Sequence, residues 1–589
     1  MDKEQVGEVL AEIAVLLELK GENPFKSRAY INGARAIEML SAPLGQLVAE
    51  DRLGEVKGLG AALQQKIGEL VRTGRLGYYE DLKASVPPGL LEMLKIPGLG
   101  PKKVKALHDH LGLESVEALE KACREGLVAD VAGFGDKTQI RILEGIAFQK
   151  THASRHLYID ALEAAEPVME ALRGHPDVIR CALAGSSRRH KEVIGDIDFV
   201  VSSKAPSNVL DFFASLPSVE KVLAKGETKT SVILAGGLQA DLRVVADAEF
   251  AFALAYFTGS KEHNIVMRQR AIERGLRLNE YGLFRSTEET RDPALRVGCS
   301  TELEIFQQLG LHYVPPELRE DRGEFAIAEK EPLPRLIEWT DLRGSLHNHS
   351  VWSDGRGSLE EIAHQMLEIG CAYWAITDHS KSSFQANGLD PARLRAQIIE
   401  VRRVNEKLAA EGCDFRLLTG SEVDILNEGR LDYDDELLAE LDVVVASIHS
   451  GFSQTETELT TRLIRAAENP YVHMLGHLTG RLLLERDAYK VNQEAVIDAC
   501  AETGTWIELN ANPHRFDMDW RQWAYARSKG VRCVINCDAH RFEHAGYLRL
   551  GAGIARKGGL TKGDVVNVLA LGDLRKALAG KRSRKNPNP

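Results

Sequence analysis

The sequence predicts a multidomain α/β protein in three parts: helical hairpins first, a mixed sheet next, and a distorted parallel barrel of alternating strands and helices last. Three observations carry this reading. Residues 1–150 place apolar residues at helical spacing between glycine turns, with few β-branched runs. From about residue 157, short apolar runs (VIRCALAG, IDFVVSS, TSVILAG, ADLRVVA) alternate with polar or helical stretches, the texture of a mixed sheet. After residue 341, the runs CAYWAIT, FRLLTGSEV, DVVVASIH, HMLGHL, TWIELN and VRCVINCDAH alternate with helical patterns, as in a parallel barrel whose strand C-termini share one face. The segment 317–340 combines prolines with dense charge and no periodicity, so it reads as a linker. Residues 576–589 read as a basic, disordered tail.

The chain has 589 residues, enough for about four domains at roughly 150 residues each. Its 44% hydrophobic and 27% charged residues exclude wholesale disorder. No apolar run approaches the roughly 18 residues of a membrane span, so no membrane partner is expected and the predicted location is cytoplasmic. Eight scattered Cys without a CxxC pair argue against a disulfide framework or a thiolate zinc site. The net charge of -12 does not favour nucleic acid by itself, but carboxylate metal sites would also push the sum negative.

In the first part, VKGLGAALQQKI, IPGLGPKKVKAL and VAGFGDKTQIRI repeat one pattern: apolar, Gly, apolar, Gly, then a helix. The glycine pairs Gly58 and Gly60, Gly98 and Gly100, and Gly133 and Gly135 allow tight turns and leave N–H groups exposed for a phosphate at the next helix. Lys102 and Lys103 add charge beside the second turn. One such turn would be unremarkable, but three predict sequence-independent binding of duplex DNA through helix-hairpin-helix motifs.

In the middle part, AGSSRRHKEVIGDIDFVV places Asp196 and Asp198 two apart on a strand, so both carboxylates share a face. Asp241, in the strand pattern QADLRVV, would complete a three-carboxylate cradle for Mg²⁺ or Mn²⁺. Gly185 and Ser186 would admit a triphosphate, with Gly195 preceding the carboxylates, while Arg188 and Arg189 would pair with phosphate oxygens. A glycine-serine turn before DxD, followed by a later strand carboxylate, resembles the nucleotidyltransferase superfamily and implies a palm with a mixed sheet. The segment AYFTGSKEHNIVMR narrows this, since it resembles the Tyr-Phe-Thr-Gly-Ser element of family X DNA polymerases. That resemblance places Tyr256, Phe257 and Gly259 against the sugar of an incoming dNTP, Asn264 at the base edge and Arg268 facing the DNA template. It also implies a lyase lysine, which Lys66 matches by position. Ala62 departs from the family's phosphate-binding lysine, so Lys66 is expected to be a solvated helix lysine.

In the last part, HNHSVWSDG places His347 and His349 two apart and Asp354 in the following loop. His379, Glu422, His449, His477, Asp538 and His540 each follow a strand-like run. In a parallel barrel these residues would converge, and N and O donors without thiolate suit two or three Mn²⁺ or Zn²⁺ ions. Ions held there would activate water against a phosphodiester. This constellation resembles the polymerase and histidinol phosphatase (PHP) family, whose full set of nine ligands it matches. Asp378 would orient a histidine, Arg481 would hold phosphate and His514 would approach the cleft.

The two resemblances together cover nearly the whole chain. They imply boundaries at 1–85 for a lyase-like helical domain, 86–150 for a helix-hairpin-helix subdomain, 151–258 for the palm, 259–316 for a thumb and 341–575 for the PHP domain. They also imply short-gap filling on gapped or primer–template DNA in base excision repair, joined to a metal-dependent 3′-5′ exonuclease. The alternatives are a barrel acting as a 3′-phosphatase, another phosphomonoesterase or an AP-endonuclease, or a noncatalytic DNA-binding scaffold.

Overall fold

The computed structural model describes the whole chain except residues 2, 39, 41–43, 97, 153, 286–291 and 585–589. Two compact units divide it, Met1–Ala153 and Ser154–Pro589. The first unit is helical throughout its described residues, from Lys3–Leu19 to Gly135–His152. Its core is one cluster of aliphatic residues drawn from every helix face that the 3.6-residue spacing aligns, including Leu10, Ile13, Ile67, Leu107 and Leu119.

The second unit opens with the pair β1 (His156–Leu157) and β3 (Val193–Ile194), antiparallel to each other. A five-stranded mixed sheet follows, formed by β2 (Val178–Leu183), β4 (Asp196–Ser203), β5 (Val219–Lys225), β6 (Lys229–Leu234) and β7 (Gln239–Val245) in the order β2-β4-β7-β6-β5. Only β4 and β7 run parallel, and their register sets Asp198 beside Asp241. A small antiparallel sheet of β8 (Arg277–Asn279), β9 (Gly282–Phe284) and β10 (Arg296–Val297) comes next.

Seven parallel strands then pair in chain order: β11 (Gly344–Ser345), β12 (Tyr373–Ile376), β13 (Arg416–Asp424), β14 (Val443–Ser447), β15 (Met474–Leu475), β16 (Trp506–Asn510) and β17 (Cys533–Asn536). The chain beyond β11 meets the chain beyond β17 through His349 N–H to Ala539 O (2.8 Å) and Asp538 N–H to His347 O (3.0 Å), which nearly closes the barrel. Strands buried on both faces explain the unbroken apolar runs of the sequence.

Two expectations need correction. Residues 317–340 are not a bland linker. Arg319 is fully buried and bonds Glu302 and the Val314 carbonyl, while Glu317 and Glu320 pair with Arg556 and Lys557 beyond the barrel strands. The dense charge is satisfied internally, which sequence alone does not distinguish from a solvated loop. The tail is helical as far as Arg584, within Leu571–Arg584, and residues 585–589 lie outside the described part.

Glu317, Glu320 and their partners belong to a joint between the mixed sheet and the barrel. Lys557 Nζ, fully buried, donates to Arg189 O (3.0 Å) and Glu320 Oε1 (2.6 Å) and lies 4.4 Å from the Trp520 ring centroid. Trp520 Nε1 donates to Glu192 (3.0 Å), which also pairs with Arg521 (3.1 Å). Burial is the main influence on Lys557, lowering its pKa to about 8 even with Glu320 against it.

Candidate functional sites in the sheet and the barrel

Asp196, Asp198 and Asp241 offer oxygens within 4.8 Å of one another. The period of two puts the first pair on one face of β4, and β7 supplies the third. Gly185 makes this possible: its φ is +62°, and a Cβ there would lie 2.1 Å from Asp198 Oδ2. Burial first, then Asp196 and Asp241, push the Asp198 carboxyl up to about 7. Burial also works against charge on Asp241, but hydrogen bonds from Lys229 and Ser231 overcome it and hold the carboxyl below its ordinary value. Lys229 Nζ lies 2.5 Å from Asp241 Oδ2, a contact that nothing in the sequence pattern signals.

Ser186 continues the short helix that Gly185 begins, and Gly195 precedes Asp196 with open space around it. The two arginines do not face open space. Arg188 clasps Glu302 with both terminal nitrogens (2.9 and 2.6 Å), and buried Arg189 bonds Glu320 (2.8 Å) and Thr258 O (2.8 Å). Both guanidiniums expected at phosphate oxygens are held here by carboxylates more than a hundred residues away. Tyr256 and Phe257 pack edge to face at 5.3 Å at the end of helix Phe250–Thr258. Gly259 caps that helix, and Asn264 Nδ2 donates to Tyr256 O (2.7 Å) and Gly259 O (3.2 Å). The Asn264 amide hydrogens expected at a base edge are thus committed to the turn. Arg268 lies one helical turn further on and is exposed.

In the helical unit, Gly58, Gly98 and Gly133 all have φ between +84° and +93°, the left-handed turns that the repeated pattern requires. Gly60 and Gly100 cap the following helices, whereas Gly135 lies inside its own. Lys103 Nζ folds back onto Gly98 O (3.0 Å), while Lys102 is exposed. Lys66 is not the solvated lysine expected. It is half-buried, donates to Tyr30 OH (2.6 Å) and sits 3.6 Å from the Tyr78 ring centroid, and burial lowers its pKa. Ala62, one turn earlier, is exposed.

The barrel brings all nine residues read from the sequence together. Glu422 is central: His477 Nε2 (2.8 Å), His379 Nδ1 (2.9 Å), His449 Nε2 (3.1 Å) and His347 Nε2 (3.3 Å) surround its two oxygens. Asp538 faces His349 at 3.1 Å, and Asp354 lies 3.5 Å from His540 and 3.6 Å from His379. Asp538 has a φ of +51°, a strained conformation for a residue other than glycine, of the kind that clusters at working sites. Buried ring nitrogens of His347, His349 and His379 lack hydrogen bonds although carboxylates surround them. That is the arrangement of donors directed at shared cations, and three subsets of the nine could each hold one. Cys537, beside Asp538, turns its thiol toward Ala545 O and stays out of the cluster.

Behind the nine are carboxylates that the sequence reading missed. Glu508 Oε1 lies 2.7 Å from His347 Nδ1, and its other oxygen accepts the His477 N–H at 2.6 Å. Asp424 lies 3.0 Å from His449 Nδ1. Such partners fix the tautomer and orientation of each imidazole. Burial opposes charge on His449, but Glu422 and Asp424 overcome it and raise its pKa to about 10. A carboxylate in the otherwise apolar run TWIELN was the available signal for Glu508. Asp378 does not orient a histidine: it accepts from Ser350 and Ser353 and holds the turn leading to Asp354. Arg481 is occupied by Asp519 and the Arg515 carbonyl, and His514 by Glu485. The arginine that lines the cavity is Arg515, 3.7 Å from Asp538. The cavity over the cluster measures about 410 Å³.

The fold and these two sites define a class: a nucleotidyltransferase core joined to a phosphoesterase barrel. Residues 253–320 match the DNA polymerase beta thumb family, 1–76 a helix-hairpin-helix domain, 90–147 a SAM-like helix-hairpin-helix tandem, and 345–512 the PHP domain. The protein named DNA polymerase/3'-5' exonuclease PolX of Bacillus subtilis (strain 168) is 38% identical over 576 residues, which is 98% of this chain and 99% of that one. DNA polymerase lambda of Rattus norvegicus is 24% identical over 54% of this chain and 56% of its own. A probable phosphatase of Caldanaerobacter subterraneus is 31% identical over 33% of this chain and 74% of its own. The chain belongs to the PolX family, the family X DNA polymerases fused to a PHP domain.

Proposed function

We infer that this chain fills short gaps in DNA by templated nucleotide addition and shortens 3′ ends at the barrel. The observation that supports this best is the presence, in one compact unit, of a three-carboxylate strand pair and a nine-residue histidine and carboxylate cluster, seven of whose members fall in groups that could hold an ion, with His477 and Asp538 in contact with them. Gapped or primer–template DNA and dNTPs are the partners of this reading. DNA repair in the cytoplasm is its setting, and no described helix is long and apolar enough to cross a membrane.

Asp196, Asp198 and Asp241 would hold Mg²⁺ or Mn²⁺. Two or three Mn²⁺ or Zn²⁺ would sit among His347, His349, Asp354, His379, Glu422, His449, His477, Asp538 and His540. Such ions, when bound, favour ionisation of the attacking hydroxyl or water and offset phosphoryl charge. The chain's own part at the palm is to hold Asp198 beside Asp241 in register, to set Lys229 against Asp241 and to keep the space beside Gly185 clear. At the barrel, Glu508 and Asp424 hold His347 and His449 in position, and Arg515 offers a cation to a phosphate. The hairpins at Gly58, Gly98 and Gly133 would grip the DNA backbone through exposed N–H groups.

The test uses a labelled primer on a one-nucleotide gap, with and without dNTPs, in Mn²⁺ and separately in Mg²⁺. Asp196→Ala is expected to abolish extension and keep shortening, and His349→Ala to do the converse. Loss of both activities in either variant contradicts two separate sites. The relatives named probable phosphatase favour a second reading of the barrel as a phosphomonoesterase. Hydrolysis of an aryl phosphate without shortening of DNA supports that reading.

A further inference from the structure

The mouth of the barrel cavity carries an aromatic side chain that neither the metal cage nor the core uses. Phe384 is 76% exposed and lines the same cavity as Asp354, His379, Glu422, His449 and Arg515. An apolar ring left in water forgoes the stabilisation of burial. Its loop is nevertheless held firmly. The Ser382 backbone N–H and hydroxyl donate to Asp432 (2.7 and 2.8 Å), the Asn387 amide donates to Trp352 O (3.1 Å), and Leu389 N–H to His379 O (2.8 Å). Ser383 Oγ donates to Asp424 Oδ2 at 2.7 Å, and the other oxygen of Asp424 lies 3.0 Å from His449 Nδ1. One carboxylate thus fixes both a cage histidine and the turn that presents the ring.

An aromatic face held in register with a phosphoester-cleaving cage suits a flat apolar group attached to the phosphate being cleaved. In a 3′-terminal nucleotide that group is the nucleobase, whose π-face stacks on aromatic rings regardless of sequence. A small sugar phosphate offers no such group. We propose that Phe384 is the stacking platform for the terminal base and makes the barrel selective for base-bearing 3′ ends. This rests on the exonuclease reading above.

The experiment measures kcat/KM in Mn²⁺ for shortening two single strands that differ only at the 3′ terminus, thymidine or a tetrahydrofuran abasic residue. For the wild-type chain, the base-bearing end is expected to be preferred by roughly 5- to 150-fold, the yield of about 1–3 kcal/mol of stacking. Phe384→Ala should bring the ratio to near one, and Phe384→Tyr, which keeps the ring, should restore it. A wild-type ratio near one, or a preference that survives in Phe384→Ala, overturns the proposal. Failure of the wild-type chain to shorten either strand overturns the exonuclease reading itself, and the platform with it.

Discussion

The carboxyl of Asp198 is ordinarily near 3.8 and is pushed here to about 7 by burial and by its two acidic neighbours. Between those values the folded chain holds a proton that the unfolded chain has lost. The resulting destabilisation is absent below about pH 4, grows with pH and is complete above 7. At 1.36 kcal/mol per pH unit the full span is about 4 kcal/mol, and solvent access to the carboxylate reduces this to about 2 kcal/mol. The unit Ser154–Pro589 unfolds with an entropy of about 0.9 kcal/mol/K at typical per-residue values, so Asp198→Asn should raise the melting temperature in EDTA by about 2 °C at pH 8 and about 1 °C at pH 5. Saturating Mn²⁺ should reverse the order, because a ligand at 100 times its Kd adds about 2.7 kcal/mol to the chain that binds it. Scanning fluorimetry at both pH values, with EDTA and with Mn²⁺, reads all four conditions. An Asn variant melting at or below the wild-type chain in EDTA at pH 8, or a difference that does not shrink in acid, refutes the reasoning.

Glu508→Gln removes the charge that faces His347 Nδ1 while keeping the volume, and kcat/KM for 3′ shortening should fall by about 10- to 100-fold with gap filling retained; an unchanged nuclease rate argues against a positioning role. Glu320→Ala leaves Lys557 and Arg189 without their shared carboxylate, and loss of one partner of a buried ion pair costs about 3–5 kcal/mol, or roughly 3 to 5 °C in the same melting assay. A neutral result would show that the joint contributes little to stability.

The residues legible in the sequence were those whose function depends on local period. Two residues apart on an extended chain share a face, so DxD and HxH declare themselves, and paired glycines declare a hairpin turn. The barrel ligands were legible because each ends a strand and parallel strands end on one face. Residues whose role depends on register across strands were hidden. Glu508 on β16 meets His347 beyond β11, and Lys229 on β6 meets Asp241 on β7, with nothing in either local pattern to announce it. The partners of Arg188 and Arg189 were hidden in the same way: both stand beside the glycine-serine turn in sequence, but Glu302 and Glu320 hold them from a distance. The proline-rich charged segment read as a boundary, yet its charges are internal partners of the barrel helix that carries Lys557.

The joint around Lys557 and Trp520 also bears on traffic between the two chemistries. Arg189 and Glu192 stand a few residues before Asp196, and Trp520 and Arg521 a few residues after Arg515. These bonds tie the loop that leads to the three carboxylates to the segment that follows the cavity arginine. On the proposed function, a primer end extended at one site and trimmed at the other would pass this joint by fraying from its template. The balance between growth and erosion of the strand would then follow how readily its terminal pair opens.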